Sequence, residues 1–257
     1  MAKIISIANQ KGGVAKTTTT VNLGAALAEA HQRVLLIDLD PQAHLALSLG
    51  LNPDDLDAST FNVLAEPSVG FPRIITPISE GLALAPADIN LSVAEQRLGG
   101  TIGREQILRD KLREVQADYD YILIDCPPSL GVLTVNALAA SQRVIIPVQA
   151  HYLSMKGMQL LIETIGLVRE KLNPQLEILG ILLTMVDVRT RISNQAIEAL
   201  RGMFGDKVFR VMIRQNTKVI EASARGVPVL KSASSSPPAQ AYRQLAREVL
   251  SGQEAGL

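Results

Sequence analysis

The stretch Ile4-Ile5-Ser6-Ile7-Ala8-Asn9-Gln10-Lys11-Gly12-Gly13-Val14-Ala15-Lys16-Thr17-Thr18 decides how the rest of the chain is read. Its first five residues are β-branched or small and mostly apolar, the composition of a strand covered on both faces. A glycine pair follows, and then a run with helical periodicity over about 16–30. Strand, glycine loop, helix is the order that phosphate binding requires. Glycine lets the main chain turn so that successive N–H groups point at oxygen, and the helix N-terminus adds positive potential. In such a loop Lys16 reaches the β- and γ-phosphates of a nucleotide and Thr17 offers its hydroxyl to Mg²⁺. Gly12, Gly13, Val14, Ala15 and Thr18 complete the expected cradle.

Outward from this loop, short β-branched runs alternate with helical stretches. Strands are predicted at 4–8, 34–38, 121–125, 143–148, 176–185 and 208–212, with shorter ones at 74–77 and 82–86. Helices are predicted at 16–30, 102–115, 132–141, 152–172, 190–203 and 238–251. No repeat, low-complexity block or long linker divides the chain, and residues 232–238 (Ser-Ala-Ser-Ser-Ser-Pro-Pro) read as a loop before a terminal helix. The expectation is one α/β domain over residues 1–257. Its doubly wound, mostly parallel central sheet would carry helices on both faces.

Composition narrows the function classes. Of 257 residues, 47% are apolar and 19% charged, enough to bury a large core and too apolar for a disordered chain. The single cysteine, Cys126, excludes an internal disulfide framework and any four-cysteine metal site, and it reads as a packing residue. The histidines at 31, 44 and 151 are too scattered to suggest a metal cluster. The opening residues do not read as a signal peptide. The longest apolar stretch, 178–186, is half the ~18 residues that span a bilayer. A cytoplasmic protein is expected. Lys+Arg and Asp+Glu balance at 25 each, but residues 189–247 hold eleven basic residues against three acidic ones. A basic segment in a neutral chain suits an anionic polymer as partner.

Two further motifs end predicted strands, where open α/β sheets hold their ligands. They are Val34-Leu35-Leu36-Ile37-Asp38-Leu39-Asp40-Pro41-Gln42 and Tyr121-Ile122-Leu123-Ile124-Asp125-Cys126-Pro127-Pro128-Ser129. The plain Walker A expression fails at Gln10 and Ala15, whereas the deviant box K-G-G-x-G-K-T matches with one mismatch, at Ala15. Together these segments resemble the ParA/MinD family of deviant-Walker ATPases, from residue 2 to about 250. The resemblance implies that Lys11 reaches across a nucleotide-sandwich dimer to the partner's ATP, in the manner of an arginine finger. It assigns Asp40 to orienting the attacking water, Asp125 to holding Mg²⁺ through water, and Asp38 to the Mg²⁺ shell or to support of its loop. Ala15 stands where a glycine is usual, and its methyl is expected to bear on the rate of nucleotide binding or hydrolysis.

Asp125-Cys126-Pro127-Pro128-Ser129-Leu130, Asn136-Ala137-Leu138-Ala139-Ala140 and Pro147-Val148-Gln149-Ala150 look like the ParA/Soj branch. Residues 211–218 are similar to its adenine loop, with Arg214 where Pro is usual and Gln215 where Arg is usual. By resemblance, the main chain near Arg214 and the side chain of Asn216 contact adenine. That branch binds duplex DNA without sequence preference, through a basic face formed by its ATP dimer. Arg189 and Lys218 fall on the positions it uses, with Arg191, Arg214, Arg225, Lys231, Arg243 and Arg247 as supplements. Few aromatics (four Tyr, four Phe, no Trp) suit a duplex-backbone binder better than a single-strand binder.

The resemblance therefore implies a Mg²⁺-dependent ATP hydrolase, forming an ATP-sandwich homodimer on the nucleoid and partitioning chromosome or plasmid DNA. A ParB-like or McdB-like activator would stimulate hydrolysis. The alternative is a McdA-like ATPase positioning carboxysomes or another protein cargo, suggested by the departures at Ala15, His151, Arg214 and Gln215. A MinD-like membrane role is disfavoured, because the terminal stretch 239–250 is short and only Arg243 and Arg247 are basic, so no membrane is expected. A metabolic ATP-using enzyme would need its own acid–base groups, and no such constellation is evident. Iron-protein electron transfer needs two cysteines per chain. With the Walker box starting at residue 11, a helix-turn-helix extension is not expected.

Overall fold

The computed structural model describes residues 1–150 and 154–252, so His151 and the predicted start of a helix at 152 lie outside the described residues. Among the described residues seven strands form one sheet: β1 (Lys3–Ile7), β2 (Val34–Asp38), β3 (Thr76–Ser79), β4 (Leu82–Ala85), β5 (Tyr121–Asp125), β6 (Arg143–Gln149) and β7 (Glu177–Thr184). Their order is β3-β4-β2-β5-β1-β6-β7. All neighbours run parallel except β3, which pairs antiparallel with β4 at the edge. The chain passes from β1 to β2 on one side and from β5 to β6 on the other, so the order reverses at β1. That reversal opens a crevice beyond the strand C-termini.

Strand alternation sorts the core into two layers. Leu35, Ile37, Ile122 and Ile124 face helices α2 (Ile107–Leu112), α3 (Val132–Ala140), α4 (Ser154–Lys171) and α5 (Arg191–Phe204). Val34, Leu36, Tyr121 and Leu123 face α1 (Lys16–Glu29), α6 (Thr217–Ala224) and α7 (Pro237–Ser251). Gly24 lets α1 sit close to the sheet, since a Cβ there would lie 2.6 Å from a Leu36 methyl carbon. The stripe Tyr242, Leu245, Ala246 and Val249 of α7 is buried in this layer, so its apolar face belongs to the core. Among the described residues, no helix is long and apolar enough to cross a membrane.

Two expected elements take a different form. Residues 208–212 make no ladder with β7; isolated bridges join Ile181 to Val208 and Val186 to Arg214. The reason is Glu248 of α7, whose carboxylate accepts the N–H groups of Arg210 and Val211 at 2.9 Å each. A main-chain donor held by a side chain is lost to the ladder. The helix expected over 102–115 is instead a 3₁₀ turn, Arg104–Gln106, followed by α2. Buried Asn136 of α3 bonds both sides of the break, accepting from Leu108 N and donating to Arg104 O.

Candidate functional site

The glycine loop is fastened to the sheet by side chains from other strands. Asn9 donates to Pro147 O (2.7 Å) and accepts from Lys11 N (2.9 Å), Thr184 donates to Val14 O (3.0 Å), and Gln149 donates to Gly13 O (3.2 Å). The carbonyls of Gly13 and Val14 are thus satisfied. The N–H groups of Gly12, Gly13, Val14 and Ala15 find no acceptor among the described residues. A run of unpaired donors at the mouth of a helix is a site for oxyanions. Gly13 has φ +71°, and a Cβ there would meet nothing within 4 Å, so the loop opens on free space. Ala15 is also left-handed, at φ 66° and ψ 36°, and its carbonyl accepts from Thr19 N as α1 begins.

Beyond the loop lies a cavity of about 580 Å³, lined by loop residues together with Asp40, Gln42, His44, Pro128, Met185 and Ser223. Lys16 is buried, and burial lowers its pKa while the Asp125 carboxylate beside it pulls the other way. Thr17 Oγ1 donates to Asp125 Oδ2 at 2.6 Å, and Thr20 Oγ1 to Oδ1 at 3.3 Å. Burial pushes Asp125 up to about 7, against the Thr17 hydrogen bond. A carboxylate so costly to charge gains from a cation placed next to it. Thr17 and Asp125 are hard oxygen donors side by side, which fits Mg²⁺. Among the described residues no cluster of three or more His, Cys, Asp or Glu could hold a metal by itself. An ion here therefore needs water and ligand oxygens, the usual state of Mg²⁺ at phosphates.

Asp38 supports the loop, one of its two expected roles. It is fully buried; its Oδ1 accepts Asp40 N (2.9 Å) and its Oδ2 accepts Leu45 N (3.2 Å), so it braces the loop that carries Asp40. Burial raises its pKa well above the carboxylate norm, with the Asp125 charge adding to the effect. Asp40 in turn accepts Gln42 N at 3.0 Å. Cys126 is completely buried and burial drives its thiol pKa upward, as suits a packing residue and not a nucleophile. Lys11 does not line the cavity of its own chain; its Nζ donates to Gln149 Oε1 at 3.2 Å.

A second cavity, about 460 Å³, adjoins the first and shares Ala15, Thr18, Met185 and Ser223 with it. Ile213, Val219, Ile220 and Tyr242 give it apolar walls, with Arg214, Gln215 and Asn216 at its edge. It has the size and character of a pocket for a flat heterocycle. Asn216 caps α6 by accepting Lys218 N at 2.9 Å. Met185, Ser223, His44, Thr184 and Gln149 escape a reading of the sequence as site residues. His44 lies just past the 34–42 motif and the others come from strand ends and a helix far along the chain, and no local pattern marks any of them as a site residue.

The predicted basic face does not assemble from all eight residues. Arg189 is paired with Asp187 (2.8 Å) and Lys218 with Glu221 (2.8 Å), both at the nucleotide end of the sheet and largely exposed. Arg214 also lies there, while Arg191, Arg225 and Arg247 have no ion pair among the described residues. Arg243 instead binds Glu29 (2.6 Å) and the Ser234 carbonyl. Lys231 borders a cavity of about 640 Å³ with Glu29, Arg33 and Gly81, at the N-terminal ends of β2 and β4. Those two cations sit at the opposite end of the sheet, because parallel strands separate their two ends by the full strand length.

A family model described as an AAA domain matches residues 2–178. The sporulation initiation inhibitor protein Soj of Bacillus subtilis is 45% identical over 249 residues, covering 97% of this chain and 98% of that protein. The chromosome partitioning protein ParA of Caulobacter vibrioides is 45% identical over 251 residues, covering 97% and 94%. A crystal structure described as cobyrinic acid a,c-diamide synthase from Mycobacterium smegmatis, with bound ATP analog and magnesium, superposes with a TM-score of 0.88. It is 38% identical and covers 100% of this chain and 98% of its own.

Proposed function

The chain belongs to the ParA/Soj-type ATPases of the ParA/MinD superfamily, and from that premise we propose that it partitions chromosomal DNA by ATP-controlled binding to the nucleoid. It takes ATP and Mg²⁺ as its ligands. The single observation that carries the reading is the convergence on one cavity of open loop donors, buried Lys16, the Thr17–Asp125 pair and Asp40. The loop N–H groups and Lys16 bind the phosphate chain, and the apolar walls around Ile213 and Tyr242 take the adenine. When bound, Mg²⁺ neutralises charge on the phosphate oxygens. Asp40, held by Asp38, orients the water that attacks the γ-phosphate. Positioning and electrostatics, more than covalent participation, perform hydrolysis in such a site.

Dimerisation couples the site to DNA. Lys11 is bonded to Gln149 and does not line its own phosphate cavity, which supports a role on the partner's ATP. A sandwich dimer then aligns two basic surfaces, each built on Arg189, Arg191, Arg214 and Lys218, with Arg225 and Arg247 as supplements. Lys231 and Arg243 fall outside this face. Many weak phosphate contacts over two subunits give avidity and a steep dependence on salt. A ParB-like activator would stimulate hydrolysis and release the DNA. Co-sedimentation with duplex DNA of mixed sequence, in ATP, in ADP and without nucleotide, tests the reading; anionic liposomes form the comparison. Binding to DNA with ATP only, lost at high salt, is expected. Liposome binding without DNA binding would sink the nucleoid reading and leave the nucleotide site standing.

A further inference from the structure

A further hollow, about 390 Å³, opens between residues 210–216 and the beginning of α7. Arg210 and Arg214 project from one wall, Gln240 and Gln244 from the other, and Asn216 lies on the edge shared with the adenine cavity. Among the described residues no carboxylate lines it. Neither guanidinium has an ion pair or side-chain hydrogen bond among the described residues, in contrast to Arg189, Lys218 and Arg243. The nearby acid, Glu248, holds the N–H groups of Arg210 and Val211 with its two oxygens, which also fixes the backbone under Arg210. The first turn of α7 has no acidic residue to oppose its positive end. Two like charges in one concavity, with no counter-charge supplied, focus a positive field there.

We propose that this hollow holds a phosphate group, separate from the phosphates at the glycine loop. The planar forks of Arg210 and Arg214 match phosphate oxygens, and the Gln244 amide offers a further donor. Gln240 contributes less, because its Nε2 already donates to Ser235 O at 3.1 Å. Pro237 and Pro238 open the helix without N–H groups, so the donors here are side chains and not a helix terminus. Arg214 and Asn216 border both this hollow and the adenine cavity, so its occupant lies against the nucleotide. The phosphate can belong to a bound duplex or to a free phosphate compound. The duplex source rests on the DNA reading above; the free source does not.

Two arms separate them, using the full chain with the wild type, Arg210→Ala and Gln244→Glu. Gln244 is exposed, and a carboxylate there supplies the missing counter-charge while leaving the core untouched. In the first arm the protein is loaded with ADP and Mg²⁺, which fills the glycine loop, and thermal unfolding is followed with inorganic phosphate against chloride at equal ionic strength. In the second, the ATP-loaded protein is titrated with a labelled duplex of mixed sequence over a range of salt. Phosphate is expected to raise the melting temperature of the wild type and of neither variant. Duplex affinity should fall about tenfold in each variant, with a salt slope shallower by about one. Loss in both arms, or in the duplex arm alone, assigns the group to DNA; loss in the phosphate arm alone assigns it to a free compound. Wild type that ignores DNA but loses phosphate protection in the variants overturns the DNA reading and keeps the site. Variants equal to wild type in both arms overturn the proposal.

Discussion

Replacing Ala15 by glycine should stabilise the nucleotide-free protein. Ala15 sits at φ 66° and ψ 36°, inside the left-handed region. There a Cβ crowds the following carbonyl at a cost of roughly 1–2 kcal/mol. Glycine removes that cost but gives the unfolded chain more freedom, which returns about 0.5–1 kcal/mol. The methyl is only half-buried, so little packing is lost with it. The net gain is about 0.5–1 kcal/mol, or roughly 1–4 °C in melting temperature for a domain of this size. The converse substitution serves as the internal control. Gly13 has φ +71° and a Cβ there would touch nothing, so Gly13→Ala should lose a similar amount through conformation alone. Thermal unfolding of the two variants and the wild type, without nucleotide, measures both. An Ala15→Gly protein that melts at or below the wild-type temperature, beside a destabilised Gly13→Ala, would refute the assignment of strain to this loop residue.

Three other perturbations probe different parts of the molecule. Lys16→Ala should abolish ATP binding measured by calorimetry, whereas Asp40→Ala should keep it, lose turnover and hold the dimer on DNA; rapid hydrolysis by the Asp40 variant would remove the role given to that carboxylate. Asp125, raised from 3.8 to about 7, retains a proton that the unfolded chain has lost, so its contribution is present below about 4 and disappears as pH rises through 7. Without Mg²⁺ the protein should therefore lose stability over that window, with Asp38 acting in the same direction, and Asp125→Asn should flatten the profile in denaturant unfolding; an unchanged slope would count against it. Glu248→Ala should cost roughly 1.5–3 kcal/mol by stranding the N–H groups of Arg210 and Val211, and urea unfolding that shifts by less than a few tenths would show that water replaces the carboxylate.

Much of the site was legible in one dimension. The loop Lys11–Thr18, the strand-end motifs that carry Asp40 and Asp125, and six strands within a residue of their observed bounds follow from short-range patterns. Phosphate chemistry demands consecutive main-chain donors and a lysine at set spacing, and consecutive residues are what a sequence records. The short edge strand was anticipated two residues early, at 74–77 against Thr76–Ser79. The strand expected over 208–212 was decided by Glu248, 36 or more positions away, because a main-chain donor pairs with whichever acceptor the fold brings to it. That Asp38 braces the loop carrying Asp40 came into view only with its two hydrogen bonds. Charge counting placed eleven cations in one segment, yet the fold sends Lys231 and Arg243 to one end of the sheet and Arg214 and Lys218 to the other. Sequence by itself marked the groups proposed to bind phosphate, since that pattern is local chemistry. Only the tertiary structure decided which cations share a face, because a chain that crosses the sheet at every helix puts near neighbours at opposite ends.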